Sequence, residues 1–284
     1  MIGLSSKKEV TIQKIIELSS SSITDFVSIE EPLEIRIVYG ESSKKIQKNI
    51  SVTMRTPGND FELAIGFLFT EGIIANYNNI KNISHQNFNQ NIVIVELVDN
   101  FEPHLQQADR NFYTTSSCGV CGKPSIESIK IVSIFNAHAK PNLIINAEVF
   151  YQLLQKLSTA QNDFSSTGGI HASALFTPNG DLLFLKEDVG RHNALDKLIG
   201  KALINNLLPL NQHILLLSGR ASFELIQKAA IADIVIIAAI GAPSSLAVEL
   251  AKEFDITLIG FLKESKFNLY HVGKQVQISF LNEK

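Results

Sequence analysis

The only two cysteines in the 284-residue sequence, Cys118 and Cys121, form a C-x-x-C pair among small residues. Such a pair is typical of half a zinc site, of a thioredoxin-type dithiol, or of a nucleophile that carries a transferable group. A tetrahedral zinc site needs four ligands, and His171 and His192 are the histidines that would complete a mixed set. A zinc site with these histidines therefore remains one alternative.

The residues around the pair disfavour a redox dithiol. That motif opens a helix, whose dipole lowers the thiol pKa, whereas Gly119, Gly122 and Pro124 interrupt a helix here. A glycine-flanked loop suits a thiol that meets a donor and an acceptor in different places. We therefore predict that Cys118 and Cys121 are catalytic and carry a transferable group, with incidental thiols as the alternative.

Three polar segments follow short apolar runs in the second half of the chain. The runs are residues 213–217, 233–237 and 256–260, and helical patterns alternate with them. Strands this apolar predict a parallel sheet covered on both faces, and right-handed crossovers put the following loops on one edge, where ligands bind. The candidate ligand-binding residues of the first two loops are Ser218, Gly219, Arg220, Gly241, Ala242 and Ser244.

These loops have the composition of an anion site. Backbone N–H groups at a helix start bind phosphate, and Arg220 adds a bidentate contact. Lys263 and Lys266, after the third strand, would close the remaining side. The alternative is ordinary helix capping by the loop serines. Since three such loops share one edge, we predict a phosphate-bearing ligand.

A further charged run spans residues 187–193 and opens a helix predicted over residues 191–205. Arg191 and His192 would stand at the helix N-terminus, where cations are unfavourable unless an anion is close. The run therefore indicates either a second part of the ligand site or a helix cap. His171 follows two glycines and is equally compatible with a buried core histidine.

The rest of the chain predicts the scaffold. Residues 1–30 are polar and Ser-rich and are expected to be loose, whereas residues 33–39, 49–54 and 92–97 alternate as strands. Asn59 and Glu62 match a capping box for a helix that ends near Gly72. Residues 147–159 predict another helix. We expect two lobes, residues 1–135 with the cysteine loop and residues 136–284 with the ligand-binding edge.

The overall composition excludes several classes. Net charge is −3 and pI about 6.2, so nothing favours non-specific nucleic-acid binding. The most apolar stretch, residues 231–243, is too short to span a membrane. No apolar segment follows Lys7 and Lys8, so we expect no signal peptide. Two closely spaced cysteines do not make a secreted disulfide scaffold. These features predict a cytoplasmic protein.

Together the motifs resemble the FdhD family of formate dehydrogenase accessory sulfurtransferases. The matching segments are Arg55–Gly72, Ser117–Gly122, Gly168–Ser173, Glu187–Lys197, Ser218–Arg220 and Gly241–Ser245. The resemblance implies a cytidine-deaminase-like three-layer α/β fold, usually dimeric. With the sequence pattern, we predict a mostly parallel C-terminal sheet and a smaller N-terminal β-rich lobe.

The resemblance also implies a function. Such proteins accept persulfide sulfur from a cysteine desulfurase, with Cys118 as the carrier. They pass it to the bis-molybdopterin guanine dinucleotide molybdenum cofactor, which formate dehydrogenase needs for activity. The family's cofactor segment falls on Phe261, Leu262, Lys263, Glu264, Ser265 and Lys266. GDP would then bind as a fragment that mimics part of the cofactor. We also predict that His192 contacts the cofactor.

The implied fold relation does not imply deamination. Zinc deaminases need H-x-E and a later P-C-x-x-C, but here the segment from His171 to Ser173 lacks the glutamate and no cysteine follows. We expect no structural metal. Two other functions stay open: a non-covalent chaperone of the molybdenum cofactor and a zinc-dependent, deaminase-like hydrolase. The expected partners are the desulfurase, the formate dehydrogenase catalytic subunit and a second copy of the chain.

Overall fold

The computed structural model describes residues 5–105 and 142–280. It begins with a two-stranded antiparallel hairpin, β1 (Lys7–Ile16) and β2 (Ser19–Ser28), turning at Glu17 with a positive φ of 53°. Ile12 lies directly across from Ile23, and this cross-strand pair of branched side chains stabilises the hairpin. The serine run in β2 does not predict a strand. The expectation of a loose N-terminus is therefore wrong for these residues.

A four-stranded sheet follows, with strand order β4-β3-β6-β5. Its strands are β3 (Glu31–Glu41), β4 (Lys44–Arg55), β5 (Ile80–Gln86) and β6 (Asn89–Leu97). The pair β3–β6 is parallel and the other two pairs are antiparallel. Leu33, Ile35 and Ile37 alternate along β3 and are fully buried, as the sequence pattern predicted. Between β4 and β5 lie helix α1 (Asp60–Thr70) and a short 3-10 turn, Tyr77–Asn79.

Helix α1 does not begin with the predicted capping box. Asn59 has φ 57° and its side chain makes no capping hydrogen bond; instead it accepts one from Lys186 Nζ. Glu62 binds the same ammonium group at 2.7 Å. Both side chains therefore bind a lysine from a distant part of the chain, and the predicted capping interaction is wrong.

The remaining elements form a larger layered unit. In chain order they are β7 (Leu143–Asn146), α2 (Ala147–Ala160), α3 (Asn162–Thr167), β8 (His171–Phe176), β9 (Leu182–Asp188), α4 (Arg191–Ile204), β10 (Ile214–Leu217), α5 (Phe223–Ile231), β11 (Ile236–Ala239), α6 (Ser245–Glu253), β12 (Thr257–Gly260), β13 (Asn268–His271) and β14 (Val276–Ser279). Strands β7 and β14 pair in parallel as a small separate sheet.

The six-stranded sheet has the order β13-β12-β11-β10-β8-β9. Only its central strands, β10, β11 and β12, are parallel; β8, β9 and β13 pair antiparallel with their neighbours. The sheet is therefore mixed, and the prediction of a mostly parallel sheet is wrong. Short connections after β8 and β12 return the chain directly, which allows only antiparallel pairing. The cytidine-deaminase likeness stays a prediction.

One strand is also shifted from its predicted position. The pattern placed a strand over residues 233–237, but β11 starts at Ile236. Helix α5 ends in a turn with Asp233 at φ 59°, and Ile234 N bonds back to the Ala229 carbonyl oxygen at 3.0 Å. The apolar residues before Ile236 therefore close the helix rather than extend the strand.

Both parts of the chain share one hydrophobic core. It contains buried residues from α1 and the four-stranded sheet together with residues from α4, α5 and α6. Helices α1 and α4 cross at two glycines: a Cβ on Gly66 would lie 1.9 Å from the Asp196 carbonyl oxygen, and one on Gly200 equally close to that of Glu62. The predicted lobe boundary at residues 135 and 136 lies outside the described ranges.

A buried ion pair lies at the same helix crossing. Lys228 Nζ contacts both carboxylate oxygens of Asp196 at 2.9 Å and Thr70 Oγ1 at 2.8 Å. Burial lowers the pKa of Lys228, but the Asp196 carboxylate more than offsets this, and the net pKa is raised. The lysine is therefore held charged inside the core. None of the helices in the described ranges is long and apolar enough to cross a membrane.

Candidate functional site

The three predicted loops lie side by side at the carboxyl ends of β10, β11 and β12. Gly241 N donates to the Gly219 carbonyl oxygen at 3.0 Å, and Phe261 N donates to that of Gly241 at 3.1 Å. Ala221 and Pro243 form an isolated parallel bridge between the first two loops. The structure thus brings the sequence-predicted segments together, although it does not test their binding roles.

Glycine is required where these loops touch. A Cβ on Gly241 would lie 2.9 Å from Arg220 N and 3.0 Å from Gly219 C. A Cβ on Gly260 would lie 2.8 Å from Pro243 Cδ. All three distances fall well below ordinary van der Waals contact. The close packing of the loops therefore depends on glycine at positions 241 and 260.

Part of the predicted amide cradle is used inside the protein. Ser218 N donates to the Ala172 carbonyl oxygen, Gly241 N to Gly219, and the Ser218 hydroxyl accepts from Ala172 N at 2.8 Å. These groups position the loop and are unavailable to a ligand. The Ser244 hydroxyl caps α6 through Ala247 N, whereas Ser222 makes no side-chain cap at the start of α5. The capping alternative therefore applies to α6 but not to α5.

Cationic side chains project from the first and third loops. Arg220, Lys263 and Lys266 are all exposed, and within residues 5–105 and 142–280 they form no ion pair. Lys263 N donates to the Lys266 carbonyl oxygen at 2.8 Å, which folds this segment into a tight turn. Glu264, also exposed, is the acidic residue of the same segment, so the cations outnumber it and the edge has the positive charge that an anion site requires.

The residues of the segment Phe261–Lys266 differ in solvent exposure. Phe261 is 44% exposed with a positive φ of 52°, while Leu262 is fully buried in a hydrophobic cluster with Phe150 and Ile259. Glu264 and Ser265 are exposed beside the two lysines. The Leu262 side chain thus anchors the segment, and only its neighbours present side chains to a ligand.

The charged run 187–193 mainly joins the two parts of the fold. Asp188 is fully buried and accepts hydrogen bonds from Thr56 N and Gly190 N, and it pairs with Lys197 at 2.7 Å. Glu187 accepts from the first amides of α3. Asp188 lies just before α4 and is paired within the protein. A contact between this run and a ligand stays a prediction.

His192 and Arg191 lie behind the loop edge. His192 is 7% exposed, and its Nε2 contacts Glu224 Oε2 at 3.1 Å and Ser222 Oγ at 3.3 Å. These contacts hold the start of α5 against α4. Within the described residues, His192 Nδ1 and Arg191 Nε are buried without a hydrogen-bond partner. His192 therefore positions the α5 N-terminus, and its own contact with a ligand stays a prediction.

His171 lies at the same edge with its ring against Gly219; a Cβ there would be 3.2 Å from Nδ1. Partial burial lowers the pKa of His171, and the nearby Arg191 guanidinium lowers it further, partly opposed by the Asp188 carboxylate. The imidazole is therefore held neutral beside the cationic loops. A bound anion would oppose that shift.

A cavity of about 1040 Å³ opens beside the loop edge. Its walls include His171, Ser218, Ile240 and Glu264 from the edge, together with residues of α2 and, after that helix, Gln161 and Phe164. The sequence prediction missed this second wall. Its residues follow an ordinary amphipathic pattern, and only the tertiary fold brings α2 alongside the strand-end loops.

The predicted catalytic residues, Cys118 and Cys121, lie outside the described residues. Their distance from the edge is therefore not part of this geometry. Within residues 5–105 and 142–280, no three His, Asp or Glu side chains cluster as metal ligands. The zinc alternative, which needs the cysteines, is not tested by that observation.

Comparison with known proteins gives concordant matches along the chain. The model of the FdhD/NarQ family matches residues 29–277. A sulfur carrier protein FdhD from Streptomyces coelicolor is 43% identical over 276 residues, covering 94% of this chain and 95% of that protein. Its namesake from Mycolicibacterium paratuberculosis is 48% identical over 249 residues, covering 85% and 88%. That from Sulfurisphaera tokodaii is 41% identical and covers 93% and 96%.

A solved structure has the same fold. It is the crystal structure of a Desulfotalea psychrophila protein described as a formate dehydrogenase accessory protein. The TM-score is 0.72 at 21% identity, and the match covers 96% of this chain and 100% of that one. At this identity the likeness concerns the fold alone.

Proposed function

The chain belongs to the FdhD/NarQ family, and we propose that it is a sulfur carrier for formate dehydrogenase maturation. The observation that carries this proposal is the similarity to sulfur carrier proteins, 41–48% identity over most of both chains. The loop edge adds a separate physical reason, because it has the charge and shape to receive a large anionic acceptor.

The proposed covalent chemistry begins at Cys118. Its thiolate attacks the terminal sulfur of a cysteine desulfurase persulfide, the donor S–S bond breaks, and the donor cysteine leaves as a thiolate. A new S–S bond then joins Cys118 to the sulfur. In the second half-reaction the acceptor would supply the electron pair for a new bond to that sulfur. The Cys118 S–S bond then breaks, and Cys118 leaves as a thiolate with the electron pair of the broken bond. Cys121 would tune the first thiol or resolve its persulfide.

The proposed acceptor is the bis-molybdopterin guanine dinucleotide molybdenum cofactor, bound as substrate. Its diphosphates would face Arg220 at the first loop, with Lys263 and Lys266 at the third. The uncapped N-terminus of α5 adds backbone donors beside Arg220. The formate dehydrogenase catalytic subunit would receive the modified cofactor, and the carrier is proposed to act as a homodimer.

Binding of a cofactor fragment tests the site. We expect GDP to bind the wild-type protein and Arg220→Ala to weaken it about tenfold or more, since a charge-assisted hydrogen bond contributes about 1.5–3 kcal/mol. Arg36→Ala is the matched control, because it removes the same charge from the four-stranded sheet, where Arg36 pairs with Glu34. Calorimetric titration of both variants measures the difference.

The two half-reactions should separate in the same variants. Sulfur loading of Cys118 needs the cysteine segment and the donor, so Arg220→Ala should load normally while activating formate dehydrogenase poorly. If Arg220→Ala and Arg36→Ala bind GDP as the wild type does, Arg220 is not part of the site. Absence of GDP binding to the wild type would contradict the loop-edge assignment.

A further inference from the structure

The hairpin β1–β2 is attached to the rest of the fold at its open end. Ser6 Oγ donates to Asp163 Oδ1 at 2.7 Å, and the Ser28 and Thr167 hydroxyls bond at 2.8 Å. From there each strand runs for ten residues toward the turn at Glu17, and most of their side chains are exposed. The match to the family model begins at residue 29, so the hairpin lies outside the matched region.

One face of this hairpin is apolar. Because residues that lie opposite each other in an antiparallel pair share a face, this face carries five branched side chains: Val10, Ile12, Ile16, Ile23 and Val27. Ile16 is 60% exposed and Val27 43%. A hairpin of two strands alone is marginally stable in water, whereas three or more strands with an apolar face are stable. A further strand at one edge would supply the missing pairing.

The two edges of the hairpin differ in charge. Strand β1 carries Lys7, Lys8 and Lys14, and lysines on an edge strand oppose pairing with another strand. Strand β2 has one charged residue, Asp25, and within the described residues it pairs with β1 alone. Its hydrogen bond to α3 lies at its end, at Ser28, which leaves the middle of the strand free. The β2 edge is therefore the one that can accept a strand.

A second copy of β2 complements this edge. Two antiparallel β2 strands related by a two-fold axis must pair so that one residue faces its own copy. With Ile23 at the axis, Ile12 and Ile23 of both copies form one apolar row across four strands, an arrangement that stabilises a sheet. With Ser22 or Thr24 at the axis, Ile23 would instead face the polar Ser21 or Asp25.

Charge complementarity favours the same register. It places Asp25 of one copy opposite Ser21 of the other, and Ser21 is itself paired with Lys14. The small serine lets the long lysine side chain cross it and reach the carboxylate. Within the described residues neither Lys14 nor Asp25 forms an ion pair, so each is free for this contact.

We propose that the hairpin is a self-association surface on which the β2 strands of two copies pair antiparallel about Ile23. The resulting four-stranded sheet is held by the isoleucine row and by two ion pairs, each joining Lys14 of one copy to Asp25 of the other. This inference rests on the homodimer of the proposed function and names the surface that forms it.

Charge reversal tests the contact between copies. Asp25→Lys should weaken the dimer about threefold to tenfold at low ionic strength, measured by sedimentation equilibrium, and adding Lys14→Asp should restore it. Within one hairpin the two residues are four positions out of register, about 14 Å apart, so a rescue reports contact between copies. Lys8→Asp added to Asp25→Lys is the matched control; it gives the same net charge and should not rescue the dimer.

Cysteine trapping tests the register separately. Ile23→Cys, introduced with Cys118→Ser and Cys121→Ser, would face its own copy at about 4.5–5.5 Å between Cα atoms, a distance that a disulfide spans. Oxidised glutathione should therefore give a covalent dimer on non-reducing electrophoresis. Ile12→Cys in the same background should not, because three strand spacings, about 14 Å, would separate the two copies of residue 12.

The outcomes separate the inference from the proposed function. A dimer that Asp25→Lys leaves unchanged and that Ile23→Cys does not cross-link would overturn the hairpin assignment and leave the homodimer standing. Equal rescue by Lys8→Asp and Lys14→Asp would also overturn it. A monomeric wild-type protein would reject both the inference and the homodimer. Sulfur loading of Cys118 in Asp25→Lys should stay normal, so the sulfur carrier role is tested independently.

Discussion

Replacing Gly241 by alanine tests whether close packing of the loops forms the ligand-binding edge. The added Cβ would lie 2.9 Å from Arg220 N and 3.0 Å from Gly219 C, both backbone atoms that cannot rotate away. Ordinary contact begins near 3.4 Å, so the loops must separate by about half an ångström. The Gly241 N hydrogen bond to Gly219, now 3.0 Å, would lengthen with them.

Two effects should follow from this change. Overpacking of this kind costs about 1–3 kcal/mol. For a protein of this size that corresponds to a fall in Tm of roughly 2–8 °C. Because the displaced backbone belongs to Arg220, GDP binding should also weaken, by about threefold to tenfold, since a bidentate contact is sensitive to geometry. Calorimetry measures the binding, and thermal unfolding by circular dichroism measures the stability.

Gly169→Ala is the control for this experiment. A Cβ there would meet nothing closer than 3.8 Å, and Gly169 does not have a positive φ. We expect its Tm to stay within about 1 °C of the wild type, as for most surface substitutions. If Gly241→Ala is as stable as Gly169→Ala and binds GDP as tightly as the wild type, the account of a rigid edge set by loop contacts is wrong.

Four further outcomes are expected. Gly66→Ala should destabilise the fold by about 3 kcal/mol or more in denaturant unfolding, because its Cβ would collide with the Asp196 carbonyl oxygen. Lys228→Met should cost about 3–5 kcal/mol by leaving the Asp196 carboxylate buried and unpaired, and adding Asp196→Asn should recover part of this. Burial lowers the pKa of His171 and of His213, so their contribution to stability should be present above pH 6.5 and lost as pH falls below it; His171→Gln should flatten that dependence. Metal analysis of the purified protein should find no stoichiometric zinc, and one zinc per chain would revive the hydrolase alternative.

The sequence predicted best where local pattern and tertiary structure agree. The apolar runs ending at Leu217 and Gly260 gave strands close to their true positions, and their spacing placed the following loops on one edge. The bounds of helix α4 also matched closely, Arg191–Ile204 against the predicted residues 191–205. The position of these loops at one sheet edge could therefore be predicted from the sequence, whereas their binding of an anion stays a prediction.

The failures arise from contacts between distant residues. Asn59 looks like a helix cap, but its partner is Lys186, which the local sequence does not specify. The hairpin β1–β2 was missed because its serine run resembles a loop, although cross-strand pairs order it. The cavity wall along α2 could not be predicted, since only the tertiary fold brings α2 beside the strand-end loops. Asp188 was recognised as part of a charged run, yet its role in joining the two parts of the fold appears only with Thr56 alongside it.

Sulfur transfer through Cys118 is the central claim, and intact-mass measurement tests it most directly. The protein is incubated with a cysteine desulfurase and cysteine, and its mass is then recorded before and after reduction. We predict the addition of sulfur to the wild type, removed by reductant, and none on Cys118→Ser, which should also fail to support formate dehydrogenase activity. A Cys118→Ser or Cys118→Ala protein that still supports that activity would contradict the covalent mechanism and favour a non-covalent cofactor chaperone.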